Sequence, residues 1–262
     1  MSNLNNIPPH MSFSAMKEYK SCAHKFAHRK VWKTPVEKAP LSYFLHLGNA
    51  FHGWLQDDPY MSEEEFEKAA GIETLTLLQE LQHAWTEADT SVYDNAIAQF
   101  QMNEVEFNFV TPVGLIIKGF IDIVGMDADG NIHLIEIKTG KKPYPKKYLD
   151  QLELYESVWH ESVLQKKPLV KKPGWDKLPT SKILVMQQSE PPFRVNIKQY
   201  MIEDDETVTK DIPIRKMDDV WSSILRSIES NEFEKNAQFL CKWCDYQKIC
   251  NPWGSLLRIK TP

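Results

Sequence analysis

The sequence lacks the features that define several classes of protein. Its apolar runs stay well short of the roughly 20 residues that a membrane-spanning helix needs. The first residues carry neither the basic nor the apolar region of a secretory signal. No G-x4-G-K-[ST] phosphate loop occurs, and no internal repeat or low-complexity tract is present. We therefore expect a cytoplasmic protein with no membrane partner and no ATP-driven motor of its own.

Net charge is also low. The chain has 31 lysine and arginine residues against 36 aspartate and glutamate residues, a formal charge of −5. Bulk electrostatics therefore do not indicate a nucleic-acid-binding protein. The basic residues are unevenly placed, because eleven lysines and five acids lie between 138 and 182, a local balance of +6. This asymmetry permits a phosphate-binding surface, although lysine-rich loops are usually only solvated.

Length and composition fit one large globular domain, at 262 residues with 42% hydrophobic and 26% charged residues. The hydrophobic periodicity predicts both helices and strands. The predicted helices cover residues 11–32, 41–55, 63–100, 148–164 and 212–229. The predicted strands cover residues 105–110, 115–124, 132–138, 183–186 and 193–197, the first three as a meander. The mixture predicts an α/β fold.

Residues 119–138 place polar side chains within two apolar strand patterns. Asp122 lies in the first strand, and Glu136 and Lys138 lie two apart in the second, so the last two share one face. The Gly- and Asp-rich residues 125–130 predict a tight connection between the strands. A buried carboxylate is costly unless a cation, a metal ion or several donors meet it. We therefore interpret the two acids and the lysine as the active site.

Two predicted helices carry polar residues four apart. Gly48 and His52 share one face of the helix over 41–55, where a glycine would let another backbone approach and the histidine would reach a cleft. Gln151 and Tyr155 share one face of the helix over 148–164. Taken alone, His52 is more typical of a hydrogen-bonded core residue, and the second spacing is typical of ordinary helix packing.

Cysteine is scarce, and its four copies are unevenly distributed. Cys22 lies near the start, whereas Cys241, Cys244 and Cys250 form a C-x2-C-x5-C motif near the end. Three thiols within ten residues point to a metal or cluster site rather than to disulfides. Four thiolates suit either zinc or an iron–sulfur cluster, and one distant ligand with a tight triplet favours the cluster modestly.

The setting of Cys22 leaves a simpler interpretation open. Ser12 is a suitable N-cap for the first predicted helix. Tyr19, Cys22 and Phe26 then recur at the spacing of one helical face. On that pattern alone, Cys22 would be a small buried hydrophobic residue.

Taken in chain order, these residues resemble the motifs of one nuclease family. The order is Cys22, Gly48-x3-His52, Gly119-Phe-Ile-Asp122, Glu136-Ile-Lys138-Thr139, Gln151-x3-Tyr155 and then C-x2-C-x5-C. This order resembles the RecB/AddB-type branch of the PD-(D/E)XK nucleases and spans nearly the whole chain. The length is similar to that of the stand-alone phage exonucleases in that branch, which also includes CRISPR-associated adaptation exonucleases.

The resemblance implies a restriction-endonuclease-like fold, with a mixed β-sheet core flanked by helices. It implies a single nuclease domain over residues 11–262, with residues 1–10 as a flexible tail. Residues 11–32 and 236–253 would form an iron–sulfur subregion that joins the two chain ends. Its cofactor would be a [4Fe-4S] cluster, or alternatively structural zinc. The implied cluster ligands are Cys22, Cys241, Cys244 and Cys250.

The resemblance also implies roles for the candidate site residues. The implied catalytic residues are Asp122, Glu136, Lys138, Gln151 and Tyr155. The implied ligands of Mg2+ or Mn2+ are His52, Asp122, Glu136 and the carbonyl of Ile137. The implied DNA-binding residues are Lys141, Lys142, Lys146 and Lys147.

The implied activity is metal-dependent exonucleolytic hydrolysis of DNA, on single-stranded or end-frayed substrates and in the 5′ to 3′ direction. Such an enzyme would serve recombination, repair, replication or degradation of DNA in a bacterium, or in the host of a phage. One alternative is a nuclease that trims captured DNA in a complex with an integrase. Another is a catalytically idle DNA-binding module. A homo-oligomer or recombination partner proteins are also open.

Overall fold

The computed structural model describes residues 7–36, 42–141, 144–202 and 212–250. Contacts divide the chain into two compact units. The first unit comprises Met1–Pro40, Asn108–Gly119 and Ile214–Pro262, and the second comprises Leu41–Phe107 and Phe120–Pro213. Within the described ranges, no helix has both the length and the apolar character that crossing a membrane requires.

The helices are named in chain order. They are α1 (Phe13–Ser21), α2 (Ala23–Phe26), α3 (Tyr43–Leu55), α4 (Glu63–Ala70), α5 (Ile72–Thr86), α6 (Ser91–Ala96), α7 (Pro145–Leu164), α8 (Ile212–Ser230) and α9 (Gln247–Cys250). A π-helical turn (Ala27–Val31) follows α2, and a 3-10 turn (Phe239–Trp243) precedes α9.

In the described ranges, five strands form one mixed sheet in the order β1-β2-β3-β4-β5. They are β1 (Phe100–Val110), β2 (Ile116–Met126), β3 (Ile132–Gly140), β4 (Pro179–Gln188) and β5 (Val195–Met201). The pairs β2–β3 and β4–β5 are antiparallel. β3 and β4 are parallel, a pairing that needs a long crossover, and α7 lies in that crossover. The predicted α/β class with a mixed, helix-flanked sheet is confirmed.

The core of the second unit is built on β3 and β4. Residues Ile132 to Ile137 of β3 are buried without interruption, as expected for a central strand that is covered on both faces. Ile135 and Ile137 pack in one apolar cluster with Leu47 and Phe51 of α3. Helix α7 also lies against β3. The strand that carries Glu136 is therefore held between two helices.

The turn between β2 and β3 follows the predicted chemistry. Asp127 accepts hydrogen bonds from the backbone N–H groups of Asp129 and Asn131, at 3.0 and 2.8 Å. Its other carboxylate oxygen lies 3.1 Å from the Nε2 atom of His133. Such Asp-centred turns let a short connection reverse the chain.

The first predicted helix is interrupted at Cys22, which corrects the single helix predicted over residues 11–32. α1 ends at Ser21, and Cys22 is extended, with φ −160°. Its thiol accepts a hydrogen bond from the backbone N–H of Lys25 at 3.4 Å and so caps α2. The predicted face of Tyr19, Cys22 and Phe26 is therefore not the face of one continuous helix.

Other boundaries differ from the predictions as well. The segment predicted as one helix over 63–100 contains α4, α5 and α6, because Gly71, with φ +88°, ends α4. β5 begins at Val195, which pairs with Gln187, and extends to Met201. Pro145 starts α7 three residues earlier than predicted, since proline suits the first turn of a helix. Residues 1–6 of the predicted tail, residue 41 and residues 251–253 lie outside the described residues.

Candidate active site

Adjacent strands β2 and β3 bring the two predicted acids and the lysine together. Their antiparallel register pairs Ile123 with Ile135, which places Asp122 beside β3. The backbone N–H of Ile137 donates a hydrogen bond to the Oδ2 atom of Asp122 at 2.8 Å. The side chains of Glu136 and Lys138 form an ion pair on one side of β3.

The ionisable groups of this site are buried, which raises the free-energy cost of keeping them charged. Glu136 is 0% exposed. Its burial, reinforced by the neighbouring Asp122 carboxylate, raises the pKa of Glu136 to about 8. Burial acts to lower the pKa of Lys138, but Glu136 and Asp122 outweigh it, so the pKa of Lys138 is raised. Two carboxyl groups and one ammonium group therefore meet at a place where a further cation would favour the ionised form of Glu136.

Helix α3 approaches the acids with His52 and Gly48. The Nδ1 atom of His52 lies 3.9 Å from the Oδ2 atom of Asp122, and the ring is hydrogen-bonded to the backbone of Ile137. Burial lowers the pKa of His52 against the opposing effect of Asp122, which favours the neutral imidazole that binds metal ions. A Cβ atom on Gly48 would lie 2.8 Å from the Oγ1 atom of Thr139. Gly48 thus admits a side chain of β3, which corrects the predicted approach of a backbone.

Gln56 and Glu104 also lie at this site, and neither was predicted from the sequence. Gln56 is 7% exposed, and its side-chain amide donates to the backbone carbonyl of Asp122 at 2.9 Å and to the Oε1 atom of Glu104 at 3.2 Å. Glu104 has φ +49°, which is uncommon for a residue other than glycine. Burial raises the pKa of Glu104, and the Gln56 amide partly offsets this. A spacing of four from His52 is a usable signal for Gln56, whereas no local pattern marks Glu104.

The predicted pair on α7 is joined by a hydrogen bond. The side-chain amide of Gln151 donates to the hydroxyl oxygen of Tyr155 at 2.6 Å. Tyr155 is buried, and the ring of Phe107 packs edge-on against it, with centroids 5.8 Å apart. Burial and the nearby acids Glu136 and Asp122 raise the pKa of Tyr155, so its hydroxyl stays protonated at neutral pH.

Of the four lysines predicted to bind DNA, the structure describes the side chains of two. Lys141 follows β3 and forms an ion pair with Glu190 at 2.5 Å. Lys146 is exposed in the first turn of α7. Lys142 and the side chain of Lys147 lie outside the described residues.

The donor chemistry of the site suits a hard divalent cation. The carboxylates of Asp122 and Glu136 and the carbonyl of Ile137 are oxygen donors of the kind that Mg2+ and Mn2+ prefer, and His52 adds a nitrogen. The Oε2 atom of Glu136 is buried, and no hydrogen bond of normal geometry reaches it from the described residues. In that part of the chain, however, no three His, Cys, Asp or Glu side chains are close enough to form a ligand set as they stand. These side chains would therefore have to rotate before they could bind one metal ion together.

The four cysteines line one small pocket in the first unit. The pocket is bordered by Cys22, Cys241, Cys244 and Cys250. The Sγ atom of Cys250 lies 3.4 Å from the Nδ1 atom of His24, and burial raises the pKa of the Cys250 thiol. The side-chain amide of Asn236 donates to the carbonyl of Ser21 at 2.9 Å, so the segment after α8 is bonded to the end of α1. As with the acids, the described cysteines do not form a ready ligand set.

The fold and the site define a class of protein. A mixed five-stranded sheet flanked by helices is a restriction-endonuclease-like α/β fold. The sequence matches the PD-(D/E)XK nuclease superfamily over residues 10–251. The chain therefore belongs to the PD-(D/E)XK nuclease superfamily, whose members are nucleases and hence hydrolases.

Comparison with solved structures agrees on the fold. The chain is similar to a candidate exonuclease from Eubacterium rectale, with a TM-score of 0.58, 13% identity, and coverage of 100% of this chain and 92% of that one. The alignment with the protein SSO0001 covers 90% of this chain and 94% of that one at 15% identity, with a TM-score of 0.36. No curated protein matches the sequence. At 13% identity, the likeness to the Eubacterium rectale protein supports the fold alone.

Proposed function

We propose that the chain is a metal-dependent exonuclease that hydrolyses DNA phosphodiester bonds, acting 5′ to 3′ on single-stranded or end-frayed ends. The observation that carries this proposal is the meeting of Asp122, Glu136 and Lys138 on β2 and β3, with His52 beside Asp122. Membership of the PD-(D/E)XK nuclease superfamily supports it. A fully buried carboxyl group is costly to ionise unless a cation lies beside it, which favours a metal-binding site over a module that only binds DNA.

In this proposal, Asp122, Glu136, His52 and the carbonyl of Ile137 would hold Mg2+ or Mn2+. A bound ion of this kind lowers the pKa of a water molecule and offsets negative charge on the phosphate. Lys138, held by its ion pair with Glu136, donates hydrogen bonds to the attacking water or to a phosphate oxygen. A donor aimed at developing negative charge is among the largest contributions to such a reaction.

In this proposal, Gln151 and Tyr155 position the groups around Glu136 and Lys138. The Gln151 amide occupies an acceptor site on the Tyr155 oxygen, which leaves the hydroxyl proton free to donate toward the acids. Tyr155 is buried and its ring packs against Phe107, which restricts the movement of the ring. This pair therefore fixes the surroundings of Glu136.

DNA phosphates on the approach to the site are bound by Lys141, Lys142, Lys146 and Lys147. Contacts of this kind release counterions, so the affinity for DNA falls as salt rises. The local excess of lysine after β3 supports the assignment, although the chain as a whole is acidic.

We infer that residues 11–262 form one nuclease domain that includes both terminal segments, and that the chain belongs to the RecB/AddB-type branch. Cys22, Cys241, Cys244 and Cys250 hold a [4Fe-4S] cluster there, with structural zinc as the alternative. The shared pocket of the four cysteines and the Asn236–Ser21 hydrogen bond support this proposal. A cluster would supply a covalent link between distant parts of the chain. DNA recombination, repair or degradation is the corresponding cellular role.

The decisive experiment uses DNA labelled separately at its 5′ and 3′ ends, single- and double-stranded, with Mg2+, Mn2+ or EDTA. We expect progressive shortening of single-stranded DNA from one end with either metal and no reaction with EDTA. Loss of the 5′ label first would establish the proposed polarity. A protein that binds these DNAs tightly and leaves all of them intact with both metals would instead be a binding module.

A further inference from the structure

Helix α3 runs along β3 with two matched series of residues. The contacts are His52 with the backbone of Ile137, Gly48 with Thr139, and Phe44 with Lys141. Four residues of a helix rise about 6 Å, and two residues of a strand rise about 6.6 Å. The two series therefore stay in register over the whole contact. One face of α3 leads from the acids to a point beyond the end of β3.

That outer end carries two aromatic rings and an ammonium group. The ring centroids of Tyr43 and Phe44 are 3.9 Å apart. The Nζ atom of Lys141 lies 4.9 Å from the centroid of Phe44, within the range of a cation–π interaction. Tyr43 is 42% exposed, and the Lys141 side chain is 59% exposed. Glu190 is the acid that pairs with Lys141, and its side chain is itself 44% exposed.

We propose that Tyr43, Phe44 and Lys141 form a subsite for single-stranded DNA, in which the aromatic pair stacks on one unpaired nucleobase and Lys141 holds an adjacent phosphate. This inference rests on the proposed nuclease function and names the feature of the substrate that the site selects. Stacking on a side chain needs a base whose face is free, so the subsite discriminates against intact duplex. A phosphate would replace Glu190 as the partner of Lys141, and both partners are exposed enough for that exchange.

The position of the subsite follows from the length of α3. Phe44 precedes His52 by eight residues, which corresponds to about 12 Å along the helix. One strand of stacked DNA advances about 3.4 Å per nucleotide, so the subsite takes a base about three or four nucleotides from the scissile phosphate. A more extended strand would reach it with fewer nucleotides.

The test combines a scan of the DNA with variants of the protein. Single-stranded oligonucleotides, each with one abasic nucleotide at one of the first several positions, are bound in Ca2+, and affinity is read from fluorescence anisotropy. For the wild-type chain, we expect one abasic position to weaken binding by about tenfold, the order of one lost base–aromatic stack. Phe44→Ala and Tyr43→Ala should weaken binding of the intact strand by a similar factor and abolish the dependence on that position.

Further variants separate stacking from folding. Phe44→Leu keeps apolar bulk without a ring and replaces Phe44→Ala if the latter unfolds. Leu45→Ala changes an exposed neighbour, 49% exposed, and should bind like the wild type. Lys141→Gln should weaken binding at every abasic position equally and reduce the salt dependence. Glu190→Gln, which leaves Lys141 without its acid, should strengthen binding.

The outcomes distinguish this inference from the proposed function. If the wild-type chain cleaves single-stranded DNA in Mn2+ but its binding shows no sensitive abasic position, the subsite does not exist. The same conclusion holds if Phe44→Leu and Tyr43→Ala keep the sensitive position. If the wild-type chain neither binds nor cleaves any of these DNAs, the proposed function fails, and the subsite fails with it.

Discussion

The side-chain amide of Gln56 donates a hydrogen bond to the backbone carbonyl of Asp122 at 2.9 Å, and this bond ties the end of α3 to the strand that carries the first acid. On the other side, the backbone N–H of Ile137 binds the carboxylate of Asp122 at 2.8 Å. Asp122 is thus positioned from two elements at once. Gln56 is also 7% exposed, so water does not readily replace its amide.

We expect Gln56→Glu to lower kcat by about tenfold with little change in KM. A glutamate carboxylate has the same size but cannot donate a hydrogen bond to the carbonyl of Asp122, and small displacements of a reacting group are costly to the rate. Steady-state kinetics on a short single-stranded substrate would measure the split. Gln101→Ala is the matched control, since Gln101 bonds the carbonyl of Leu55 instead. Equal loss in both variants would mean that the effect is general loosening rather than the placement of Asp122.

Lys138→Ala should lower kcat by at least about a hundredfold, the usual cost of removing one donor from developing negative charge. The fold should survive, because Glu136, whose pKa is already raised to about 8, can then take up a proton. Cleavage rates and thermal unfolding curves measure the two effects separately. Lys182→Ala is the control, since Lys182 is also a strand lysine paired with a glutamate, Glu156 of α7. Wild-type cleavage by Lys138→Ala would show that the active-site assignment is wrong.

Gly48→Ala should destabilise the chain and slow cleavage. In an ordinary helix, a change from glycine to alanine stabilises the folded chain by about 0.5–1 kcal/mol. Here, however, the new Cβ atom would lie 2.8 Å from the Oγ1 atom of Thr139. The β-branched side chain of Thr139 has little freedom to move away. Overpacking of this kind typically costs about 1–3 kcal/mol. In a Thr139→Ala background the same change should be neutral or stabilising. Chemical denaturation of the wild type, the two single variants and the double variant completes this double-mutant cycle. A Gly48→Ala single variant that is more stable than the wild type would contradict the close contact with Thr139.

Cys244→Ala should reduce the iron content, the soluble yield and the melting temperature, the last by at least about 5 °C, because a cofactor that binds only the folded chain contributes its binding free energy to stability. Metal analysis, visible absorption and thermal unfolding measure the three effects. Ile249→Ala, a 53% exposed position within the same motif, should leave all three unchanged. If the wild-type protein is colourless and contains one zinc ion per chain, the four cysteines bind zinc and not an iron–sulfur cluster. A metal-free protein would exclude both cofactors.

The stability provided by Asp127 should depend on pH. Burial acts to raise the pKa of Asp127, but hydrogen bonds from Asn131 and His133 outweigh it and lower the pKa to about 2. A carboxyl group with a depressed pKa stabilises the folded chain above its unfolded pKa of about 3.9, and this contribution is lost as the pH falls toward 2. The difference in unfolding free energy between the wild type and Asp127→Asn should therefore be constant above about pH 5 and shrink below it.

Urea unfolding at a series of pH values measures this difference. Asp129→Asn is the control in the same turn, where Asp129 contributes its backbone N–H to the network, and it should change stability by less. A difference for Asp127→Asn that stayed constant down to pH 2 would show that the hydrogen bonds at Asp127 do not favour the ionised form.

The predictable part of the site is the part set by local pattern. Strand alternation places Glu136 and Lys138 on one side, and the Gly- and Asp-rich turn returns the chain beside Asp122. The break at Cys22 was not predictable from periodicity, because periodicity records burial and not the capping of a helix by a thiol. Glu104 was equally hidden, since its φ of +49° is fixed by distant packing and not by its neighbours in sequence.

The matched spacing of contacts between α3 and β3 restricts which insertions these two elements can accept. One residue inserted between Phe44 and His52 would turn the outer half of the helix by about 100° and carry Phe44 away from Lys141. Four residues inserted there, with two added to the end of β3, would restore every contact about 6 Å farther out. The distance between the proposed active site and the outer end of α3 is therefore adjustable only in whole steps, each close to the length of two stacked nucleotides.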